Sequence, residues 1–503
     1  MKSLLSIAMP PAADQPPSSV PRAALYRFGL ALAAAGWLAL VWNALCTVPG
    51  VPWNPARLAP SFALARGLPI YALRDSGAHL GWIYGPVFPL WYLPVTLTDN
   101  PTLALVFAGL INLATLLLPP ALVLAAAGVA RGRGLAAATL TAAVLLAGDH
   151  SLWAGYYFVH VDAVCIALGV AGCVALHRAA LHGGRRWLHL AALGVVLAFW
   201  TKMLALPLFL ALPLWLWRER RELVGALLFA LLLWGGLVSL AVLACFGPEE
   251  IFFNGWLFHA RNPWVGGGAL LWENTGKVLG YAWVWLALLL WLWGDGLAAS
   301  PAARRLPARA ASLVRLLLWA AVCQLPLGLI APLKSGGTLG SLHSVEWAML
   351  AAMVALWHRW SQPGGMGEAV RPAMIFALAV LASLVMAGCS IFEFEGVWTP
   401  YRGLETDLAL ARAQAGRIYF PWNPMLTIIT ERRVYPLDDA LYGLATAGLE
   451  PPPEKIRAAV PAGAALIYYD NAQSRFAERY FQPPAVRPSD PTVPSVQPSA
   501  GNP

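Results

Sequence analysis

Charge is scarce in this chain. Asp, Glu, Lys and Arg make up 12% of its 503 residues, about half the share usual in soluble proteins. Hydrophobic residues reach 59% and the mean hydropathy is +0.62. That balance excludes a soluble enzyme and a disordered chain. Cysteine is sparse as well. The six are Cys46, Cys165, Cys173, Cys245, Cys323 and Cys389, and none forms a CxxC pair. A disulfide scaffold, a zinc site and a redox motif therefore have no support. Cys46, Cys245 and Cys389 fall near expected outer helix ends, where a disulfide among them or simple apolar filling both remain open. Apolar and polar residues do not alternate, which excludes a transmembrane β-barrel. What remains is an all-α polytopic membrane protein. The 24 tryptophans suit the membrane interfaces of such a fold.

The formal net charge is +9, and its distribution carries more than its size. Residues 393–503 hold slightly more acidic than basic residues, so the basic surplus belongs to the apolar part. It sits in short loops: Arg131 and Arg133; Arg178, Arg185 and Arg186; Arg218, Arg220 and Arg221; Arg304, Arg305, Arg309 and Arg315; Arg359 and Arg371. The positive-inside rule makes these loops cytoplasmic. The basicity thus reads as topology, and nucleic acid is not an expected partner.

Residues 1–23, with Pro10, Pro11, Pro16, Pro17 and Pro21, read as a disordered cytoplasmic arm. A membrane domain follows over 24–392, with a first span at 24–46 and a long outer loop at 47–83. Residues 84–98, broken by Pro86, Pro89 and Pro94, read as a juxtamembrane helix leading into a span at 101–129, which Pro119 and Pro120 should kink. Further spans are expected at 135–149, 161–177, 223–246, 282–300, 313–333, 345–360 and 373–391. The apolar run 187–217 is too long for one span and carries Lys202 at its middle. A charge at the bilayer centre would cost at least about 3 kcal/mol, so a tight hairpin of two short helices with Lys202 at its outer tip is expected. The count is about 11 transmembrane helices. A second outer loop covers 247–281. Residues 393–480 read as a small α/β outer domain, with strand-like stretches in 416–448 and a buried strand in "GAALIYYD"; 481–503 is a disordered Pro/Ser-rich tail.

The segment "ARGLPIYALRDSGAHLGWIYGPVFPLWYLP" places Asp75 and His79 between aromatic stretches just before membrane re-entry. Aromatics can stack on sugar faces, and a carboxylate can act as general base toward a hydroxyl. An interfacial aromatic belt is the plainer reading of the same residues. Asp149, His150, His160 and Asp162 surround one short outer loop. They are of types that bind a divalent cation, but their spacing matches no metal signature, and capping by Asp162 explains them as well. Lys202, Arg261 and Lys334 are the outer cations nominated for a phosphate. For Lys202 a snorkelling role at a hairpin tip stands beside that one. Glu249 and Glu250 read as first-turn acids, and His343 and Glu346 as capping or interfacial groups.

The order "GLPIY … YGPVFPLWYLP" resembles the first outer loop of GT-C glycosyltransferases, polytopic enzymes that use polyprenyl-phosphate-linked sugars and include mannosyltransferase and aminoarabinose-transferase branches. "VHVDAVCIALGVAG", "LAFWTKMLALPLFLALPL", "LKSGGTLGSLHSVEWAMLAAM" and "GRIYFPWNPMLTIITERRVYPLDD" are similar in order and spacing to later segments of that family. The resemblance spans most of 24–470. It implies transfer of a sugar from a polyprenyl-phosphate donor to an envelope glycan, lipid or protein acceptor on the periplasmic face of the inner membrane. The N-terminus would be cytoplasmic and the C-terminal domain periplasmic. The family usually carries an Asp after its first helix. Here that stretch reads "CTVPGVPWNPARLAPSFALARGLPIY", with Asn54 or Arg57 where the acid would stand. Asp75 is the first acid in the loop. The expected catalytic groups are thus Asp75 or Asp162. Lys202, Arg261 and Lys334 would hold the phosphate, and Tyr84, Trp82, Trp264 and His160 would shape the pocket. No cofactor is implied as required, while a divalent cation stays open. Two other classes are carried beside this one: a non-catalytic GT-C-like protein binding lipid-linked glycans, and a lipid or solute transporter.

Overall fold

The computed structural model describes residues 53–128, 159–264, 306–335, 341–361, 403–468 and 475–481, with isolated positions elsewhere. The spans expected at 135–149, 282–300 and 373–391, more than half of 24–46, the arm 1–23 and the tail beyond Phe481 lie outside the described residues, apart from isolated positions. So do Asp149, His150, Cys46 and Cys389.

Helix α1, Trp53–Ala65, lies in the stretch expected as a loop. Pro55 sits in its first turn, where a missing N–H costs nothing. α2, Pro101–Ala127, starts on an Asn100 cap whose side chain accepts from Leu103 N, and it runs through Pro119 and Pro120. α3 is Val161–His182, α4 Arg185–Phe199, α5 Leu208–Glu219 and α6 Val224–Phe246. α7, Ala308–Ile330, and α8, His343–Ser361, complete the apolar set. Among the described residues, four helices are long and apolar enough to cross a membrane, beginning at Pro101, Val161, Arg221 and Ala308.

α3 is the hub. It packs against α2, α4, α5 and α7. Within the chain, 78% of its apolar window is buried, against 22% for the span that contains α6. α6 instead leaves Leu228, Phe229, Leu232 and Leu240 exposed, as a helix facing lipid does. Close approach of α3 and α4 depends on two glycines. A Cβ on Gly194 would lie 2.9 Å from the Gly172 amide nitrogen, so any larger residue would force the helices apart.

The run 187–217 breaks at Thr201–Pro207, and Lys202 sits in that break. It is not the tight hairpin the sequence suggested. α4 packs on α3 and α6, whereas α5 packs mainly on α7. Eight residues, 200–207, with a 3-10 turn at Met203–Ala205, link the two helices, which touch through the Phe199 and Phe209 rings at 5.9 Å.

After residue 402 the chain forms α9 (Gly403–Ala413), α10 (Pro424–Glu431) and α11 (Asp438–Thr446). A short helix, Pro453–Ala458, follows. β1, Ile418–Tyr419, pairs in parallel with β2, Ala465–Leu466, in the register Ile418 to Ala465. Most of the strand-like stretch 416–448 is helical, because its apolar residues also fall at helical spacing once Pro424 and Asp438 open each helix. Asp438 ties this region together. Its carboxylate accepts from the Tyr468 hydroxyl at 2.8 Å and from the Ala477 and Phe476 amides at 2.7 and 3.1 Å. α10 packs on α1, and Leu437 and Ala440 close over Ala56. The segment holding α10 and α11 thus sits on α1.

Candidate functional site

Asp162 lies in the first turn of α3, preceded by the His160 cap. Only 7% of it is exposed. Its Oδ1 takes Lys202 Nζ at 2.6 Å and His343 Nε2 at 2.6 Å. Its Oδ2 takes His160 Nδ1 at 2.5 Å. The Asp162 amide also lies 3.3 Å from His160 Nδ1, but that nitrogen cannot accept and donate at once. The shorter contact assigns the proton to Nδ1, leaving Nε2 as the acceptor nitrogen. Burial pushes the His160 imidazole down to about 4. Asp162 opposes that shift, but Arg57 and Lys202 already supply two positive charges and add to it.

The aromatic loop docks against the Lys202 turn. Gly85 N donates to Thr201 O at 3.2 Å and Val87 N to Trp200 O at 3.4 Å. A Cβ on Gly85 would overlap the Trp200 carbonyl, so this approach requires glycine. Trp82 Nε1 donates to Gly85 O at 3.2 Å, and its ring stacks on Phe88. Tyr84 is thereby held with its ring 5.8 Å from Lys202 Nζ, a cation–π arrangement. The Tyr71 hydroxyl fixes the Tyr84 carbonyl at 2.6 Å.

α1 braces the same site from the other side. Asn54 Oδ1 accepts from Val159 N at 2.9 Å, and Arg57 Nη1 donates to Val159 O at 3.4 Å. The residues where the family's acid would stand therefore hold the segment that leads into His160 and Asp162. Arg57 is recessed. Burial works against its charge, while Tyr84, Asp162 and Asp439 favour it.

The second group of nominated cations is apart from this cluster. Lys334 Nζ donates to His259 O at 2.7 Å and lies 5.1 Å from the Trp264 ring. Trp264 and Lys334 also form a backbone bridge. These contacts tie the 248–264 stretch to the end of α7. Arg261 is exposed at the end of that stretch. His259 Nε2 reaches Ile83 O at 3.2 Å, which brings the stretch to the edge of the Tyr84 loop. Asp75 is exposed on the turn Arg74–Ser76, which packs on the helix Pro453–Ala458, and it is not among the groups touching Asp162.

The structure thus gathers Asp162, Lys202, His160 and Tyr84, with Trp82 behind them. It adds His343, which sequence reasoning gave to capping, and Arg57. It also adds Asp439, which nothing in "YPLDDALYG" distinguishes. Among the described residues, no group of three His, Cys, Asp or Glu is arranged to hold a metal ion. A cation on Asp162 would have to displace Lys202 or a histidine.

No family model matches the chain. No curated protein matches it either. Among solved structures it is similar to the crystal structure of ArnT from Cupriavidus metallidurans bound to undecaprenyl phosphate. The two share 15% identity, with 84% of this chain and 88% of that chain covered and a TM-score of 0.45.

Proposed function

We propose that this chain is an integral membrane glycosyltransferase that moves a sugar from a polyprenyl-phosphate donor to an acceptor on the periplasmic face. The observation that carries this reading is the buried Asp162–Lys202 pair with its two histidines, beneath the Trp82–Tyr84 loop. Among the described residues Lys202 Nζ makes one hydrogen bond, to Asp162. An ammonium has three N–H bonds, so two are left for an anion. Asp162 holds the ammonium in place and offsets its burial. A polyprenyl phosphate leaving an anomeric carbon carries growing negative charge, and a preorganised cation lowers the barrier to that departure. The aromatic rings of Tyr84 and Trp82 suit a sugar face beside it.

The outward placement rests on the basic loops, which put the helix ends bearing Asp162 and Lys202 opposite the arginine clusters. It goes together with about eleven spans and a periplasmic α/β C-terminal domain. A second reading, a lipid-glycan binder without catalysis, draws on one observation. Asn54 is committed to bracing Val159, so the family's acid position serves structure here.

The test is transfer in proteoliposomes. Radiolabelled undecaprenyl-phosphate glucose, mannose and 4-amino-arabinose are offered with envelope extract as acceptor, and binding of undecaprenyl phosphate is measured in parallel. Transfer by the wild type, with lipid binding lost in Lys202→Met, is expected. Lipid binding without transfer of any of the three sugars favours the binder.

A further inference from the structure

Any transfer to a hydroxyl needs a group to take its proton, and the described carboxylates of this site are not equivalent. Both oxygens of Asp162 are occupied by Lys202, His343 and His160. Those of Asp438 are occupied by Tyr468, Phe476 and Ala477. Asp75 stands on an exposed turn. Asp439 differs from all three. It lies in the first turn of α11 and is recessed, yet part of it stays open to solvent. Among the described residues its carboxylate makes no hydrogen bond and no ion pair. Arg57, the residue near the missing acid's place, acts on Asp439, Asp162 and Tyr84 together. Asp439 therefore shares one electrostatic neighbourhood with the Lys202 cluster.

α11 is fixed in this position by backbone contacts. Leu437 N donates to His79 O at 2.8 Å and Asp438 N to Pro421 O at 2.9 Å. Ala440 packs on Ala56, and a Cβ on Gly81 would lie 2.8 Å from the Ala440 Cβ. Phe258 covers Gly443 from the 248–264 stretch.

We propose that Asp439 is the general base of the transfer, removing the acceptor's hydroxyl proton beside Arg57 while Lys202 receives the departing phosphate. This rests on the glycosyltransferase reading above. The acceptor oxygen forms its bond to the anomeric carbon as the carbon–oxygen bond to the phosphate breaks. The bond's electron pair leaves on the polyprenyl phosphate, and the proton resides on Asp439 until water removes it.

His160 Nε2 is the competing acceptor of the proton. Protonating it would place a third positive charge beside Lys202 and Arg57. Protonating Asp439 removes a recessed negative charge, which the surroundings favour. Burial and the neighbouring Asp438 push the Asp439 carboxyl up to about 6, against the pull of Arg57. A base is most effective with its pKa near the working pH. The titratable groups on the elements packed around α11 are Arg57, His79, Tyr84 and His259, with Tyr468 on the Asp438 carboxylate and Glu478 and Arg479 on the turn Phe476–Arg479; Asp438 and Tyr442 lie on α11 itself. Burial pushes the imidazoles of both His79 and His259 down.

The experiment compares wild type, Asp439→Asn, Asp439→Glu and His160→Gln in the proteoliposome assay across pH, with binding of undecaprenyl phosphate measured on each. Asp439→Asn is expected to lower kcat by about 100-fold or more while lipid binding stays within about twofold. Wild-type kcat/KM should fall as pH drops through about 6, and Asp439→Asn should lose that limb. Asp439→Glu should recover part of the rate. Asp439→Asn at the wild-type rate, or with its acid limb intact, overturns the assignment. So does loss of the limb in His160→Gln instead, or loss of lipid binding in step with rate. A wild type that neither binds undecaprenyl phosphate nor transfers sugar overturns the parent reading as well, and it is told apart because the failure precedes any mutation.

Discussion

Asp162 and Lys202 are forty residues apart in sequence and 2.6 Å apart in the structure. Each is nine-tenths buried or more, so each exists as an ion because of the other. Removing one partner leaves a buried charge uncompensated, which typically costs about 3–5 kcal/mol. Asp162→Asn and Lys202→Met should each lower thermal stability in detergent by that order. The double variant should lose clearly less than the sum of the two. Additive losses would mean that the two groups do not depend on each other.

Asn54 supplies the acceptor for the Val159 amide immediately before the His160–Asp162 turn. Asn54→Ala leaves that amide without its side-chain acceptor in a buried setting, at a cost of about 1–3 kcal/mol. Asn54→Asp keeps an oxygen in place, and Arg57 lies one turn along the same helix to counter its charge. The aspartate variant should therefore melt above the alanine variant. The opposite order would show that the brace depends on the neutral amide.

His79 is 2% exposed, and burial lowers its imidazole to about 4. The unfolded chain takes up the proton near 6.5, the folded chain only near 4. Its contribution is therefore complete above pH 6.5 and is lost as pH falls toward 4. At that limit the loss is about 3 kcal/mol. The folded docking of the aromatic loop on α11 should weaken over that window. His79→Phe, placed beside Phe253, should flatten the pH dependence of the melting temperature between 6.5 and 4. An unchanged slope in that variant would assign the acid sensitivity to other groups.

The apolar architecture was legible because hydropathy acts locally. The runs that became α2, α3, α6 and α7 are continuous in sequence, and the break around Lys202 follows from the cost of a buried charge. Asp162 and Lys202 could each be nominated from their places at helix ends. Their pairing could not, since it depends on how α3 and α4 pack across Gly172 and Gly194. Asp75 stood out as the first acid of its loop, which is a statement about order along the chain. Asp439 did not stand out, since adjacent acids at a helix start are ordinary first-turn residues. The fold sets it apart from Asp438, whose oxygens Tyr468, Phe476 and Ala477 occupy, by bringing α11 onto α1 near Arg57. The helix α1 was hidden by Pro55 and Pro60, whose positions suit a helix start and a bend as well as a loop.

The contact of Leu437 and Ala440 with Ala56 has a consequence for synthesis. A membrane protein is inserted from its N-terminus as it is translated, and the last elements arrive when the spans are already in place. Asn54, Asp162, Lys202 and His343 can meet before the ribosome reaches α11, but Asp439 cannot join them. The site is therefore completed only when α11 has been made, so a product terminated before Asp438 would hold the cationic cluster and lack the carboxylate near Arg57.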